Sequence, residues 1–275
     1  MVKDKLPTIF HITNYKAGSQ WVAGILERTA PRRYVRPNVG VKHFFEKAII
    51  PGKIYPTVYV TRQHFTGTLL DGRAPRFYYA FNVNKNVIAS AVNRYNFRWR
   101  KYPYKMFVVI RDLRDILVSQ YFSVLVSHPQ VTVRMKKYRQ ELSSLDKEDG
   151  FLSLIHKRLP LQAAIQESWL PAWQNGDVLL VRFENLLEDE YGCFEKIISY
   201  CQIDIERQKL HDIVAQRSFQ KSTGRQPGQE DINAHLRKGI AGDWKNHFTD
   251  RVKDEFKQHF GQLLIETGYE KDLNW

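Results

Sequence analysis

"TIFHITNYKAGSQWVAGIL", residues 8–26, changes its period in the middle. "TIFHIT" alternates and is β-branched at both ends, as a strand is. From Ser19 onward, "SQWVAGILERT" (19–29) repeats apolar residues at helical spacing, with Ser19 placed to cap the helix. Lys16, Gly18 and Ser19 therefore stand where a strand hands over to a helix. A tight turn followed by a cap accounts for the glycine and the serine. A helix start also offers unpaired N–H groups and the positive end of a dipole, and a lysine beside it makes an anion cradle.

The same alternation continues along the chain. "TVYVTR" (57–62), "KMFVVIR" (105–111) and "DVLLVRF" (177–183) read as strands, the second apolar enough to be buried on both faces. Helical patterns occupy 112–126, 189–203, about 206–217 and 249–268, and "QKSTGRQPGQED" (220–231) reads as a loop. Strands alternating with helices predict an α/β fold, a single domain over 1–275 with a central, mostly parallel sheet flanked by helices. Three stretches fit less neatly, 34–50, 65–104 and 127–160. They are expected to be excursions that line an acceptor site or form a lid.

Forty-two Lys and Arg against 29 Asp and Glu give a net charge of +13, which calls for an anionic partner. With 43% hydrophobic residues a core is well supplied, so disorder is excluded as the general state. The two cysteines, Cys193 and Cys201, match no zinc spacing and no disulfide framework. "MVKDKLP" lacks an apolar leader, and no apolar run reaches the length of a membrane span. These features predict a cytoplasmic protein with no membrane partner.

In a parallel sheet, ligands bind beyond the carboxyl ends of the strands. Lys16, Gly18, Ser19 and Trp21 follow the first strand, Arg62 and His64 the second, and Arg111 and Ser119 the third. Three cations, two hydroxyls and a histidine suit a multiply charged, nucleotide-like anion. Lys16 precedes Gly18, unlike the Walker A lysine, and no paired carboxylates are placed for Mg²⁺, so a metal-dependent kinase or NTPase is disfavoured. "RDLRD" (111–115) has a plain reading in which Asp112 and Asp115 complement the helix dipole while Arg111 and Arg114 stay solvated. "RKG" (237–239) is by itself an ordinary basic turn. Beside an expected phosphate it supplies two cations and a backbone N–H.

Taken in order, these segments resemble the sulfotransferases that use 3′-phosphoadenosine 5′-phosphosulfate (PAPS). "YKAGSQW" looks like the family's 5′-phosphosulfate loop, and "VVIRDLRDILVSQYFS" is similar to its 3′-phosphate strand and helix. "VRFENLLED" resembles the Y-E-D-L segment, and "RKGIAGDWKNHFT" the closing R-K-G-x-x-G-D-W motif. The resemblance spans residue 8 to about 270 and implies the P-loop-kinase-like sulfotransferase fold.

Carried over by position, it assigns Lys16, Ala17, Gly18, Ser19, Gln20 and Trp21 to the 5′-phosphosulfate and adenine. It assigns Arg111 and Ser119 to the 3′-phosphate, with Arg237, Lys238 and Gly239 closing over that group. Phe183 and Phe219 fall at the nucleotide, and "TRQHF" supplies His64 as general base, with His43 a distant second. PAPS would be the donor, PAP the product, and no metal is required. The acceptor is expected to be a small molecule, with a glycan as the alternative. Ala17, Gln20, Leu113 and Phe183 depart from the family's usual residues. The dimer signature in "KNHFTDRVKD" (245–254) is altered too, which leaves the oligomeric state open. A reading of another class, single-stranded nucleic-acid binding, rests on "NRYNFRWRKYPYK" (93–105) and the net charge; no known nucleic-acid motif accompanies it.

Overall fold

The structure is a computed structural model and describes residues 6–36, 50–66, 76–77, 103–127 and 133–275. The chain divides into two compact units, Met1–Ile110 with Ile165–Arg217, and Arg111–Ala164 with Ser218–Trp275.

The first unit holds a five-stranded sheet in the order β3-β2-β1-β4-β5. Its strands are β1 (Thr8–Thr13), β2 (Ile54–Tyr59), β3 (Arg76–Phe77), β4 (Tyr104–Ile110) and β5 (Leu179–Arg182). β1 pairs in parallel with β2 and β4, and β4 with β5; the two-residue β3 adds an antiparallel edge to β2. Every residue of β1 is buried, as expected of a central strand covered on both faces. Helix α1 (Ser19–Thr29) starts where its sequence pattern starts and buries Val22, Ile25 and Leu26 against Ile9, Phe107 and Val109. Each such side chain contributes about 1.5–3 kcal/mol through its removal from water. A short helix α2 (Arg62–Thr66) follows β2.

β2 begins three residues before the expected start, at Ile54 rather than Thr57. The pairing shifts between Phe10 and Ile12, which places a bulge at Thr57, whose φ of 53° is left-handed. Its N–H donates to His11 Nδ1 at 3.3 Å, and the His11 ring stacks on Phe107 at 4.8 Å. His11 is fully buried, so its other nitrogen, Nε2, carries the proton, and burial lowers the ring's pKa to about 3. The expected strand at 177–183 is shorter, and Phe183 already opens a helix.

The second unit is helical. Helix α3 (Leu113–Phe122) follows β4 directly and ends in a π-helical turn, Ser123–Ser127. Then come α4 (Val133–Ser143) and α5 (Lys147–Lys157). Helix α6 (Leu159–Gln174) begins in this unit and ends in the first, where Trp169 Nε1 donates to the Val60 carbonyl at 2.9 Å. Back in the first unit lie α7 (Phe183–Glu188), α8 (Glu190–Tyr200) and α9 (Arg207–Ala215). The second unit closes with α10 (Phe219–Thr223), a 3₁₀ turn Asp243–Asn246 and α11 (Asp250–Glu266). Much of 34–50, 65–104 and 127–132 lies outside the described residues, along with His43. The remainder of the third excursion, 133–160, is the helical pair α4 and α5 with the start of α6.

Candidate active site

In the first unit the turn between β1 and α1 combines the expected cation and glycine with an unusual backbone. Lys16 (φ 67°) and Gly18 (φ 72°) are both left-handed around a fully buried Ala17. Alternating hands turn successive N–H groups toward one concavity, the arrangement that binds phosphates. A lysine in that conformation costs about 1–3 kcal/mol, which only the surrounding structure can hold. Glycine at 18 is required twice over. Its φ is left-handed, and a Cβ there would lie 2.7 Å from the Phe183 ring.

Phe183 comes from the start of α7 and meets Trp21 edge-on at 6.3 Å, while Phe194 braces the same indole at 5.4 Å. Trp21 Nε1 is buried with no hydrogen-bond partner among the described residues. Ser19, 3% exposed, shares a 2.8 Å hydrogen bond with the Tyr59 hydroxyl, and Tyr15 packs on the Tyr59 ring at 4.3 Å. The end of β2 therefore props the loop. Gln20 is half-buried at the head of α1.

Arg62 was expected at the end of the second strand and His64 just beyond it; both instead stand on α2. The Arg62 N–H donates to the Ser168 hydroxyl at 3.0 Å, which ties α2 to α6. The His64 side chain lies outside the described residues.

The second unit gathers another set. Arg111 donates to the Ile240 carbonyl at 3.4 Å and pairs with Asp115 at 3.6 Å. Asp115, 1% exposed, accepts from the backbone N–H of Gly242 at 2.7 Å and of Trp244 at 3.0 Å. Asp115 is therefore the clasp that holds the 239–244 loop onto α3. Gly239 (φ 68°) is packed so closely by Phe219 that a Cβ would lie 2.5 Å from the ring. Arg111, Phe219 and Gly239 thus meet within one unit, and Ser119 is half-buried two turns into the helix that Arg111 precedes.

Arg237 and Lys238 both reach the buried Asp243; Lys238 Nζ lies 2.6 Å from its Oδ1, and Arg237 also pairs with Glu230. His247 joins Asp243 at 3.1 Å, and the Asn246 amide donates to the same carboxylate at 3.0 Å. Burial pushes this carboxyl up, but hydrogen bonds from His247, Lys238, Arg237 and Asn246 outweigh it and hold the group well below the usual carboxylate range. The Arg237 guanidinium also lies 4.5 Å over the Phe122 ring.

Two acids missed as site residues, Asp115 and Asp243, organise this cluster. Their signal was present in the sequence, since an acid inside a basic motif needs a reason. Arg114 corrects the plain reading of "RDLRD". It is 2% exposed and not solvated, clasped by Asp112 at 2.7 Å and Glu270 at 2.5 Å between the rings of Trp244 and Trp275. Asp112 does cap α3, accepting from the Arg114 N–H at 2.9 Å.

The sequence model of the family described as Sulfotransferase domain matches residues 6–268. Sulfotransferase 1E1 of Mus musculus is 26% identical over 177 residues, 58% of this chain and 55% of that protein. The chain spans about half the length of the relatives it matches. Among solved structures, mouse sulfotransferase SULT7A1 complexed with PAP superposes with a TM-score of 0.63 at 19% identity, covering 98% of this chain and 87% of that one. Retinol dehydratase in a complex with retinol and PAP gives 0.52 at 13% identity, covering 94% and 82%. At those identities the structural likeness speaks for the fold. No helix among the described residues is long and apolar enough to cross a membrane.

Proposed function

Because the chain belongs to the sulfotransferase family, we propose that it moves a sulfuryl group in line from PAPS to a hydroxyl or amine of a small-molecule acceptor, as one catalytic domain over residues 1–275. The observation that carries this reading is the Lys16–Gly18 turn, two left-handed residues and a cation at the head of a helix. The buried, unpartnered Trp21 Nε1 and the Phe183 ring beside it suit the base and sugar of a nucleotide. Arg111 and Ser119, with Arg237, Lys238 and Gly239 of the same unit, are proposed for its 3′-phosphate, and Phe219 for its adenine.

PAPS supplies an activated sulfur: the bond from sulfur to the phosphate oxygen breaks, the bond from sulfur to the acceptor oxygen forms, and PAP leaves. The chain's own groups do the rest. Backbone N–H groups of the 16–19 turn and the Lys16 ammonium stabilise charge gathering on the departing oxygen. His64 is proposed to take the acceptor's proton. Neither role calls for a metal, so transfer is expected to survive EDTA. A small, partly apolar acceptor is favoured over a glycan because a fold neighbour was solved with retinol. Soluble, cytoplasmic placement belongs to the same reading.

Titration calorimetry with PAP in EDTA, against AMP, tests the donor. Binding that prefers the 3′-phosphorylated nucleotide, lost in Lys16→Ala and Arg111→Ala, is expected. Equal affinity for AMP would sink the assignment. Transfer of ³⁵S-labelled sulfate to a panel of phenols, sterols and amines, with His64→Ala as control, then tests acceptor and base.

A further inference from the structure

The second unit carries a group of side chains that the sulfuryl-transfer reading does not use. Helices α5 and α11 pack side by side and run in the same direction. Near the start of each, Arg251 bridges Glu148 at 3.1 Å and Asp149 at 3.0 Å. About two turns further along α5, His156 meets Glu255 and His259, one and two turns further along α11. His156 Nε2 and His259 Nε2 each lie 3.0 Å from the same carboxylate oxygen, Glu255 Oε1. The ligand atoms of the three residues fall within 4.8 Å of one another, and the two imidazole rings stand edge-to-face at 5.0 Å.

We propose that His156, Glu255 and His259 form a binding site for a divalent transition-metal ion of the Zn²⁺ class, stapling α5 to α11. The donor set decides the class: two imidazoles and one carboxylate suit zinc and its neighbours, whereas Mg²⁺ and Ca²⁺ take oxygen donors. Zinc bonds of about 2.0–2.2 Å place donor atoms about 3.4 Å apart around a tetrahedron. The two nitrogen–oxygen separations need to open by only a few tenths of an ångström, and the nitrogen–nitrogen separation to close modestly. Short rotations of exposed side chains achieve both.

The i,i+4 spacing of Glu255 and His259 puts both donors on one face of α11. The Arg251 bridge and the buried Phe151, Leu154 and Phe256 fix the distance between the helices, so the third donor is delivered without rearranging backbone. Half-exposed ligands, with His156 52% and His259 40% exposed, give an ion an entry path and leave its fourth position to water. Binding displaces the two Nε2 protons that Glu255 otherwise accepts, exchanging two hydrogen bonds for three coordinate bonds.

The test uses the full chain, stripped with EDTA, exchanged into chelator-free buffer and titrated with ZnCl₂ by calorimetry, with thermal denaturation alongside. One zinc per chain and a higher Tm are expected, both weakened at least tenfold in His156→Gln and again in His259→Gln. MgCl₂ should leave Tm unchanged, Co²⁺ should show the intense visible bands of low-coordinate cobalt, and Cys193→Ser should bind zinc as the parent does. PAP affinity should be the same in the histidine variants, so this site and the donor site fail or stand separately. No zinc uptake, or uptake retained in the His156→Gln/His259→Gln pair, would overturn the proposal.

Discussion

Two glycine-containing loops of this chain, one in each unit, are held in shape by different means. In the first unit, the 15–21 loop is shaped by sterics and backbone: a left-handed lysine, a glycine under a phenylalanine ring, and a serine held by Tyr59. In the second, the 237–244 loop is shaped by charge, with Arg237, Lys238 and His247 gathered on Asp243 and the backbone clasped by Asp115. A loop set by contact fails when an atom is added. A loop set by charge fails when a charge is removed, and it responds to salt and pH.

Adding one methyl group at Gly18 is the harshest way to break this contrast. Gly18→Ala places a Cβ at both a strained left-handed φ and the Phe183 ring, so PAP affinity should fall on the order of 100-fold by calorimetry. Phe183→Ala in the same chain should restore only part of it, because the backbone strain remains; full recovery would mean that sterics against the ring are the whole story. The counterpart in the second unit is Asp115→Ala. It strands two buried N–H donors and frees Arg111 from its carboxylate, and should lower stability by about 1–3 kcal/mol in urea denaturation.

Acid separates the two regions by where it acts. His11, beneath the first loop's strand, is kept neutral down to about pH 3 when folded, whereas its ordinary value is 6.5. The unfolded chain takes up that proton as pH falls below 6.5 and the folded chain does not until about 3, so folding loses about 1.4 kcal/mol per pH unit in that window. His11→Leu should flatten that slope. Asp243 carries a depressed carboxyl, so its contribution is complete above about pH 4 and is lost only as pH falls below that. Asp243→Asn should flatten the stability curve there and leave the higher window alone. The smallest effect belongs to the Ser19–Tyr59 hydrogen bond: Ser19→Ala and Tyr59→Phe should each cost about 1 kcal/mol, and the double variant little more than either.

Much of this was legible in the sequence, and the pattern of what was not is physical. The limits of α1 could be read because glycine and serine punctuate a change of period at 18 and 19. Arg111, Phe219 and Gly239 stand out because charge and motif mark them; Arg111 reaches the Ile240 carbonyl, and Phe219 covers Gly239. Helix α6 went unread because Pro160 and Pro171 look like breakers in "LPLQAAIQESWLPAWQ", yet one sits in the first turn and burial of Trp169 carries the helix through the other. The early start of β2 was hidden by Pro56 and by a bulge whose partner, His11, is 46 residues away. Arg114 seemed solvated because its partners, Glu270 and two tryptophans, come from beyond position 240. Local patterns record local preference; a buried ion pair is decided by residues that only the fold brings near.

Asp243 changes what affinity means for its loop. Arg237 and Lys238 are not waiting in water for a guest; they already have a carboxylate between them. An incoming anion therefore takes part in an exchange, and its net gain is the difference between its own hold on the two cations and the one it displaces. A singly charged ion gains little by that trade. A dianion with several acceptor oxygens can share the cations with Asp243 and still come out ahead. On the proposed 3′-phosphate reading, an acid placed among these bases would act as a threshold, setting how much charge the nucleotide must bring.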